Sequence, residues 1–343
     1  MIGPRPGARR GYRKRVTGRA VATTPSRGLR RAWARVATPA GFRVLALVAL
    51  AGLWLIVPSG AVVRLTASGL GCPDWPLCDG GVVPAAAGHA WIEYSNRLLS
   101  GAVMVVCVLT WLAARRLPGR PDAVRRWAGA IALATVGQVP LGAITVLLDL
   151  HPLLVASHFM LSMTALACGV VLALRANDLA RGVSRGWNRR HGPLAVLTAA
   201  GLLAVIVSGV LVTAAGPHSG DSEVVRRFGR LDHAAYVHVR VVIGAVALAV
   251  VLVAWLWLER AADRPTRRLG LALLPLYGIQ IGIGEYQYRH RLPWEVVIAH
   301  VSVAGLCWAG TVALAWLVLR PAAEVGPPPG ARRAEAVEAA VPG

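Results

Sequence analysis

Eight stretches of mostly apolar residues follow one another along this chain, each near the ~20 residues that a helix needs to cross a bilayer. They cover roughly residues 43–63, 92–114, 127–148, 152–174, 193–214, 233–258, 266–285 and 294–319. Hydrophobic residues make up 56% of the sequence and charged ones only 15%, which excludes a soluble globular domain. We therefore predict an all-α integral membrane protein with eight transmembrane helices.

The net charge of +21 is concentrated in alternate connecting segments. Residues 1–43 hold twelve Arg and Lys and no acidic residue, and basic clusters recur at 115–126, 175–190 and 260–268. The positive-inside rule places all of these in the cytoplasm. This predicts a multi-pass protein of the plasma membrane with both termini cytoplasmic, and it argues against nucleic acid as a partner.

Both ends of the chain are poor in apolar residues that could form a core. The basic tail 1–42 either touches anionic membrane lipid or is solvated without a specific partner. The tail 320–343 is rich in Pro, Ala and Gly. We expect both tails to be disordered and cytoplasmic.

Polar residues inside the apolar stretches recur at a constant shift of 142 residues. The pairs related by this shift are Gln138 and Gln280, Gly142 and Gly284, His158 and His300, and Asn96 and His238. Each half has an even number of spans, so both halves enter the membrane from the same side. We predict two pseudo-symmetric four-helix bundles, residues 43–174 and 193–319, joined by a cytoplasmic linker at 175–192.

The second half carries a pair of intramembrane histidines, His238 and His300. Two histidines facing across a bundle can close both axial positions of a heme iron. The alternative is a pair of core histidines bonded to each other or to backbone carbonyls. Zinc is disfavoured because no cluster offers three or four ligands.

The first half differs at the corresponding positions. His158 is present, but its expected partner is Asn96, a poor iron ligand, and Glu93 lies one turn before Asn96. Glu93 has no acidic counterpart in the second half. A carboxylate beside an open coordination position suits substrate chemistry, whereas the alternative for Glu93 is an ion pair with Arg97.

Two cysteines in the first exoplasmic loop, Cys72 and Cys78, are close enough in sequence to form a disulfide, which would be structural or redox-active. Three arginines lie at exoplasmic helix ends: Arg64, Arg97 and Arg240. They either reach the lipid headgroups or bind heme propionates. For Gln138 and Gln280 we expect hydrogen bonds between helices.

Several strings resemble the heme A synthase family. They are VVRLTASGLGCPDWPLC at 62–78, IEYSNR at 92–97, ASH ending at His158, SG ending at Gly209, GPHSGD at 216–221, and IAH ending at His300. The resemblance covers roughly residues 43–320. It implies eight transmembrane helices in two halves and oxidation of the C8 methyl group of heme O to the formyl group of heme A, for use by cytochrome oxidase.

The same resemblance implies roles for individual residues. His238 and His300 would be the axial ligands of a heme b cofactor. The N-terminal half would bind heme O as substrate, with His158 as an axial ligand and Glu93 as the catalytic carboxylate. Cys72 and Cys78 match the family's disulfide-forming pair.

Asn96 departs from the family, in which many members have a second histidine at this position. Either His158 alone ligates the substrate iron, or His89 reaches it from two turns away, or Asn96 serves only as a hydrogen-bond donor. Candidate partners are a heme O synthase and a redox partner, and the oligomeric state stays open. The alternative functions are a diheme carrier between quinol and a periplasmic partner, and a transporter built from parallel repeats.

Overall fold

The computed structural model describes residues 3, 28, 34–72, 74–85, 88–119, 121–217 and 229–322. Most of both predicted tails lies outside the described residues, as does most of the loop after residue 217. Within the described part the chain forms eight long helices. They are α1 (Pro39–Leu65), α2 (His89–Ala114), α3 (Asp122–Leu147), α4 (Pro152–Arg181), α5 (Gly192–Ala215), α6 (Leu231–Leu258), α7 (Arg264–Arg289) and α8 (Trp294–Leu319).

Local chemistry explains where several of these helices begin and end. The Thr38 side chain caps α1 by accepting the N–H of Gly41 at 3.1 Å, and Asp263 caps α7 by accepting the N–H of Thr266 at 3.0 Å. Proline at the first position favours the start of α4. That helix ends at Gly182, whose φ of +67° is the left-handed conformation that glycine adopts without strain.

The chain is a multi-pass membrane protein. Seven of the described helices, all except α7, are long and apolar enough to cross a membrane. Helix α7 is also 26 residues long, but arginines near both of its ends lower its mean hydropathy. Each of the eight apolar stretches predicted from the sequence is helical, with bounds that differ by a few residues.

The helices pack in two rings. In the first, α1 packs on α2, α2 on α3, α3 on α4 and α4 back on α1; helices α5 to α8 repeat this order. Among the described helices, the diagonal pairs α2 and α4, and α6 and α8, do not pack closely on each other. Side chains on those diagonal helices can therefore face each other across the interior of each ring.

The two rings meet along α1, α4, α5 and α8. Two tryptophans cross this interface through their indole N–H groups. Trp54 on α1 donates to the backbone carbonyl of Ser302 at 3.2 Å, and Trp308 on α8 donates to that of Met163 at 2.8 Å. Leu53 and Leu166 lie in the buried core of the first ring, and Leu252 and Leu314 in that of the second.

Candidate functional site

Glu93, in the second turn of α2, is buried with 4% of its surface exposed. Arg97 donates to Glu93 Oε1 from Nη2 at 2.6 Å and from Nε at 3.1 Å. The backbone N–H of Cys72 donates to Glu93 Oε2 at 2.8 Å. The ion pair offered as an alternative for Glu93 is therefore present, and both carboxylate oxygens have defined donors.

Arg97 also fastens the loop between α1 and α2. Its Nη2 donates to the carbonyl of Cys72 at 2.9 Å and its Nη1 to that of Leu77 at 3.0 Å. Cys72 and Cys78 form a disulfide, as predicted, and both residues are buried. Glu93, Arg97 and the disulfide loop therefore form one connected unit at the entrance of α2.

Asp74 stabilises the outer turn of this loop. Its carboxylate accepts the N–H of Gly80 at 2.8 Å and that of Asp79 at 2.6 Å. These two bonds hold the pKa of Asp74 below its usual range. The loop therefore keeps this turn over the neutral pH range, where the carboxylate is ionised.

Glutamine and histidine are paired in the same way in both rings. Gln138 Nε2 on α3 donates to the carbonyl of His158 on α4 at 3.0 Å, and Gln280 Nε2 on α7 donates to that of His300 on α8 at 3.1 Å. The predicted hydrogen bonds between helices are confirmed. Since only an amide nitrogen can donate to a carbonyl, the nitrogen of each side chain faces the histidine.

The ring nitrogens of His300 differ in protonation. Gln280 Nε2 lies 3.1 Å from His300 Nε2 and can only donate there, so His300 Nε2 carries the lone pair. The Nδ1 atoms of His300 and of His158 are both buried without a hydrogen-bond partner among the described residues. The two histidines differ at Nε2, because the second N–H of Gln138 goes to Ser162 Oγ at 2.7 Å and not to the ring of His158.

His238 on α6 is held by Ser208 on α5. Ser208 Oγ lies 2.8 Å from His238 Nδ1 and donates its own proton to the carbonyl of Val205 at 2.9 Å. The hydroxyl must therefore accept from Nδ1–H, which leaves the lone pair on His238 Nε2. This is the tautomer that can bind a metal through Nε2.

Each of the three histidines rests against a glycine of the neighbouring helix. A Cβ atom added to Gly142 would lie 3.4 Å from Cε1 of His158, one on Gly209 3.3 Å from His238, and one on Gly284 3.0 Å from His300. Because glycine has no side chain, each imidazole lies directly against the backbone of the neighbouring helix. The glycines therefore fix the positions of the imidazoles.

Asn96 lies half-buried on α2, where the repeat has His238 on α6. The hydroxyl of Ser59 on α1 is within bonding distance of Asn96 Oδ1, at 2.9 Å. His89, the proposed substitute ligand, is the first residue of α2 and is exposed, and its Nδ1 lies 2.9 Å from Ser68 Oγ. His89 therefore contacts the loop between α1 and α2, and Asn96 contacts α1.

The other arginines at exoplasmic helix ends have different surroundings. Arg240 is exposed and lies over the ring of Tyr236, with its Nη1 donating to the Tyr236 carbonyl at 3.3 Å. Arg64 Nη2 donates to the carbonyl of Thr213 on α5 at 2.8 Å, and its Nε is buried without a partner in the described chain. Contact of Arg97 or Arg240 with a propionate stays a prediction.

Ser59 is a site residue that the repeat of 142 residues does not reveal, and Ser208 enters the sequence analysis only as part of the string SG that ends at Gly209. Each precedes a glycine, and this Ser-Gly pair recurs at a shift of 149 residues instead of 142. The difference of seven residues falls between the serine and its partner, in the segment that contains the longer disulfide loop of the first ring. A search that allowed for an insertion there would have found them.

The second ring fits a heme held between two histidines. His238 and His300 lie on the diagonal helices α6 and α8, which do not pack closely on each other in the described chain. Both carry the lone pair on Nε2, the atom through which each could bind a metal, and both imidazoles rest against glycines. In this structure the amide of Gln280 bonds the lone pair of His300. A flat macrocycle with an iron that takes two nitrogen ligands matches this donor set.

Replacing Cys72 and Cys78 together by serine is expected to destabilise the loop by about 2 kcal/mol, because the short closed loop no longer restricts the unfolded chain. The amide that donates to Glu93 then loses its fixed position. The measurement is thermal unfolding in detergent, under oxidising conditions. The Cys107→Ser variant, which alters a free buried cysteine, is the control; equal unfolding temperatures for the double variant and the unaltered chain would contradict the expectation.

Comparison with known proteins gives one family. A model of the cytochrome oxidase assembly proteins called COX15-CtaA matches residues 43–312. A heme A synthase from Shewanella oneidensis is 24% identical over 298 residues, which are 74% of this chain and 89% of that relative. A heme A synthase from Alkalihalophilus pseudofirmus is 32% identical over 155 residues, 42% of this chain and 52% of that relative.

A third relative is named for a different activity. A protoheme IX farnesyltransferase from Thermus thermophilus is 28% identical over 305 residues, which are 84% of this chain. The match covers 50% of that relative, so the chain spans about half of its length. The similar region is therefore nearly the whole of this chain but only one part of the longer protein.

Proposed function

The chain belongs to the COX15-CtaA family of cytochrome oxidase assembly proteins, and on that premise we propose that it is a heme A synthase, an oxidoreductase that converts heme O to heme A. The observation that carries the proposal is the repeated site. Two rings hold a histidine with the same glutamine and glycine neighbours, and in the described part of the chain the first ring adds a buried carboxylate, Glu93, beside its site. A cofactor site beside a reaction site accounts for this difference.

The proposed architecture extends the observed packing. All eight helices cross the plasma membrane, α7 included, and the two rings are pseudo-symmetric four-helix bundles within residues 43–174 and 193–319. The basic connections, among them the linker 175–192, lie in the cytoplasm with both termini. The site residues Glu93, Asn96, His158, His238 and His300 then all lie toward the exoplasmic side.

The second bundle would hold heme b through His238 and His300. Ser208 orients the first imidazole through Nδ1, and the amide of Gln280 faces the second. Such outer contacts set the tautomer and orientation of a metal-binding histidine. Heme b held by these two histidines would supply one-electron transfer.

The first bundle would hold heme O as the substrate, with His158 as an axial ligand. A route from the bilayer between helices suits the isoprenoid tail of this molecule. Glu93 would accept a proton from the methyl group as it is oxidised, and Arg97 would hold the carboxylate in position. Two successive hydroxylations, each adding a hydroxyl group from water and passing two electrons to the redox partner, would give a geminal diol, which loses water to form the aldehyde.

A heme O synthase is the proposed partner that supplies the substrate. The Thermus thermophilus relative supports this, because about half of a protein named protoheme IX farnesyltransferase is similar to this chain. Substrate transfer between neighbouring proteins also keeps an apolar heme out of water. Membrane lipid and a redox partner complete the proposed surroundings.

The experiment that tests the proposal is heme extraction from cells that express this chain together with a heme O synthase. Chromatography and mass spectrometry then identify the hemes. Heme A or its hydroxylated intermediate, absent when this chain is absent, is the expected result. Unchanged heme O together with a folded, heme-containing protein would favour a diheme electron carrier instead.

Replacing Gly284 by alanine is expected to lower the heme b content of the purified protein about tenfold. The new Cβ would lie 3.0 Å from Cε1 of His300 and would push the imidazole out of position. The matched control is Gly278→Ala on the same helix, where nothing lies within 4 Å of the added atom. Heme stoichiometry per protein is the measurement, and unaltered content in the Gly284→Ala variant would show that this contact does not position the ligand.

A further inference from the structure

A fourth glycine, Gly60 on α1, occupies the position in the first ring that Gly209 has in the second. Each follows a serine, and both serines lie three residues after a backbone carbonyl within bonding distance of their hydroxyl: Ile56 at 3.1 Å from Ser59 and Val205 at 2.9 Å from Ser208. Each serine also bonds the facing residue, Asn96 or His238. The two Ser-Gly pairs are therefore structural equivalents.

The space beside these two glycines differs. A Cβ on Gly209 would lie 3.3 Å from the imidazole of His238, whereas a Cβ on Gly60 would meet nothing within 4 Å. The asparagine side chain is shorter than an imidazole, so it reaches the serine but does not cover the glycine. The first ring thus has the same serine and glycine as the second ring, but it has an asparagine in place of the histidine.

Other side chains near this position are engaged elsewhere. His89 is bonded to Ser68 at the start of α2, and Glu93 is bonded to Arg97 and to the amide of Cys72. Neither has a hydrogen bond to Ser59 in the described chain. Within the described chain, Asn96 is the side chain that contacts Ser59 across from α2.

We propose, on the basis of the function proposed above, that the open space bounded by Gly60, Ser59 and Asn96 is a binding site for a small ligand on the open axial face of the substrate heme. His158 alone ligates the iron from the protein. A small exogenous ligand, such as a neutral nitrogen base or carbon monoxide, binds the iron from the side of Asn96. The cofactor heme in the second bundle has no such face.

The test uses absorption and electron paramagnetic resonance spectra of the full-length protein purified from cells that also make heme O. The heme b of the second bundle is expected to be low-spin and not to respond to added imidazole or carbon monoxide. Heme O is expected to be high-spin. Imidazole should convert heme O to the low-spin form, and carbon monoxide should bind it after reduction. The Asn96→His variant should be low-spin without added imidazole and should no longer respond to it.

Two further variants test whether the space beside Gly60 holds the added imidazole. Asn96→Ala should stay high-spin and still bind imidazole. Gly60→Val, which fills the space beside Gly60, should weaken imidazole binding about tenfold or more, while the smaller carbon monoxide still binds. If the Gly60→Val variant and the unaltered chain bind imidazole with the same affinity, the space beside Gly60 is not the binding site.

The identity of the bound hemes distinguishes the two proposals. Heme O that is retained but fully low-spin and unresponsive in the unaltered chain would overturn this inference and leave the proposed function standing. If heme b is bound but heme O is neither retained nor converted, the proposed function fails and the inference fails with it. The heme content is therefore determined by chromatography on each sample used for spectroscopy.

Discussion

Glu93→Gln is expected to reduce heme A formation by at least about 100-fold, the lower range of what a positioned general base contributes. Glutamine has nearly the same shape and can still accept the N–H of Cys72, but it has no carboxylate to take a proton. The measurement is the rate of heme A formation per folded protein in membranes that contain heme O. Heme b content should not change, because Glu93 belongs to the first bundle.

A structural explanation of such a loss has to be separated from a catalytic one. Breaking a buried ion pair costs ~3–5 kcal/mol, so Glu93→Gln also weakens the loop. The Arg97→Gln variant breaks the same pair and keeps the carboxylate. Equal losses of activity in the two variants would assign Glu93 a structural role, whereas a much larger loss in Glu93→Gln supports proton transfer.

An exposed ion pair provides the matched control. Glu285 and Arg289 have the same four-residue spacing on α7, and their side chains are 53% and 72% exposed. Exposed pairs of this kind contribute at most about 1 kcal/mol. Glu285→Gln is therefore expected to have the activity and unfolding temperature of the unaltered chain.

His238→Ala is expected to lower the heme b content more than about 100-fold, because it removes an iron ligand together with the bond that His238 donates to Ser208. Heme A formation should be lost as well, since electrons no longer have a carrier in the second bundle. Pyridine hemochrome spectra of the purified protein measure the heme content. The glycine at position 209 leaves the vacated space open, so added imidazole should restore part of the heme.

The control for this prediction lies on the same helix. His233 is exposed in the first turn of α6, five residues before His238. Its replacement by alanine should leave the heme content and the activity unchanged. Equal heme content in the His238→Ala and His233→Ala variants would remove His238 from the set of iron ligands.

The helices could be predicted closely from the sequence because membrane-spanning segments are encoded locally, by length and hydropathy. The eight predicted stretches overlap α1 to α8, and the ends differ where caps decide them, as at Thr38 and Asp263. Their packing into rings depends on contacts between distant residues. The 142-residue shift gave the order of the helices, but not which of them lie diagonally opposite.

The candidate site was predictable only where the repeat keeps its register. Gln138 and Gln280 fall on the constant shift, and their bonds to the next helix followed from it. Ser59 does not, because the longer disulfide loop shifts it by seven residues relative to Ser208. The contact of Glu93 with the amide of Cys72 joins a helix to a loop 21 residues away, and no periodic pattern encodes such a contact.

The two indole bonds between the rings end on main-chain carbonyls. Trp308 bonds the carbonyl of Met163 and Trp54 that of Ser302, so neither bond depends on the side chain at the accepting position. Every residue type offers that carbonyl. Substitutions at the accepting positions can therefore accumulate over evolution without breaking the contact between the two rings. One ring is then free to change for substrate binding while the other keeps its cofactor site.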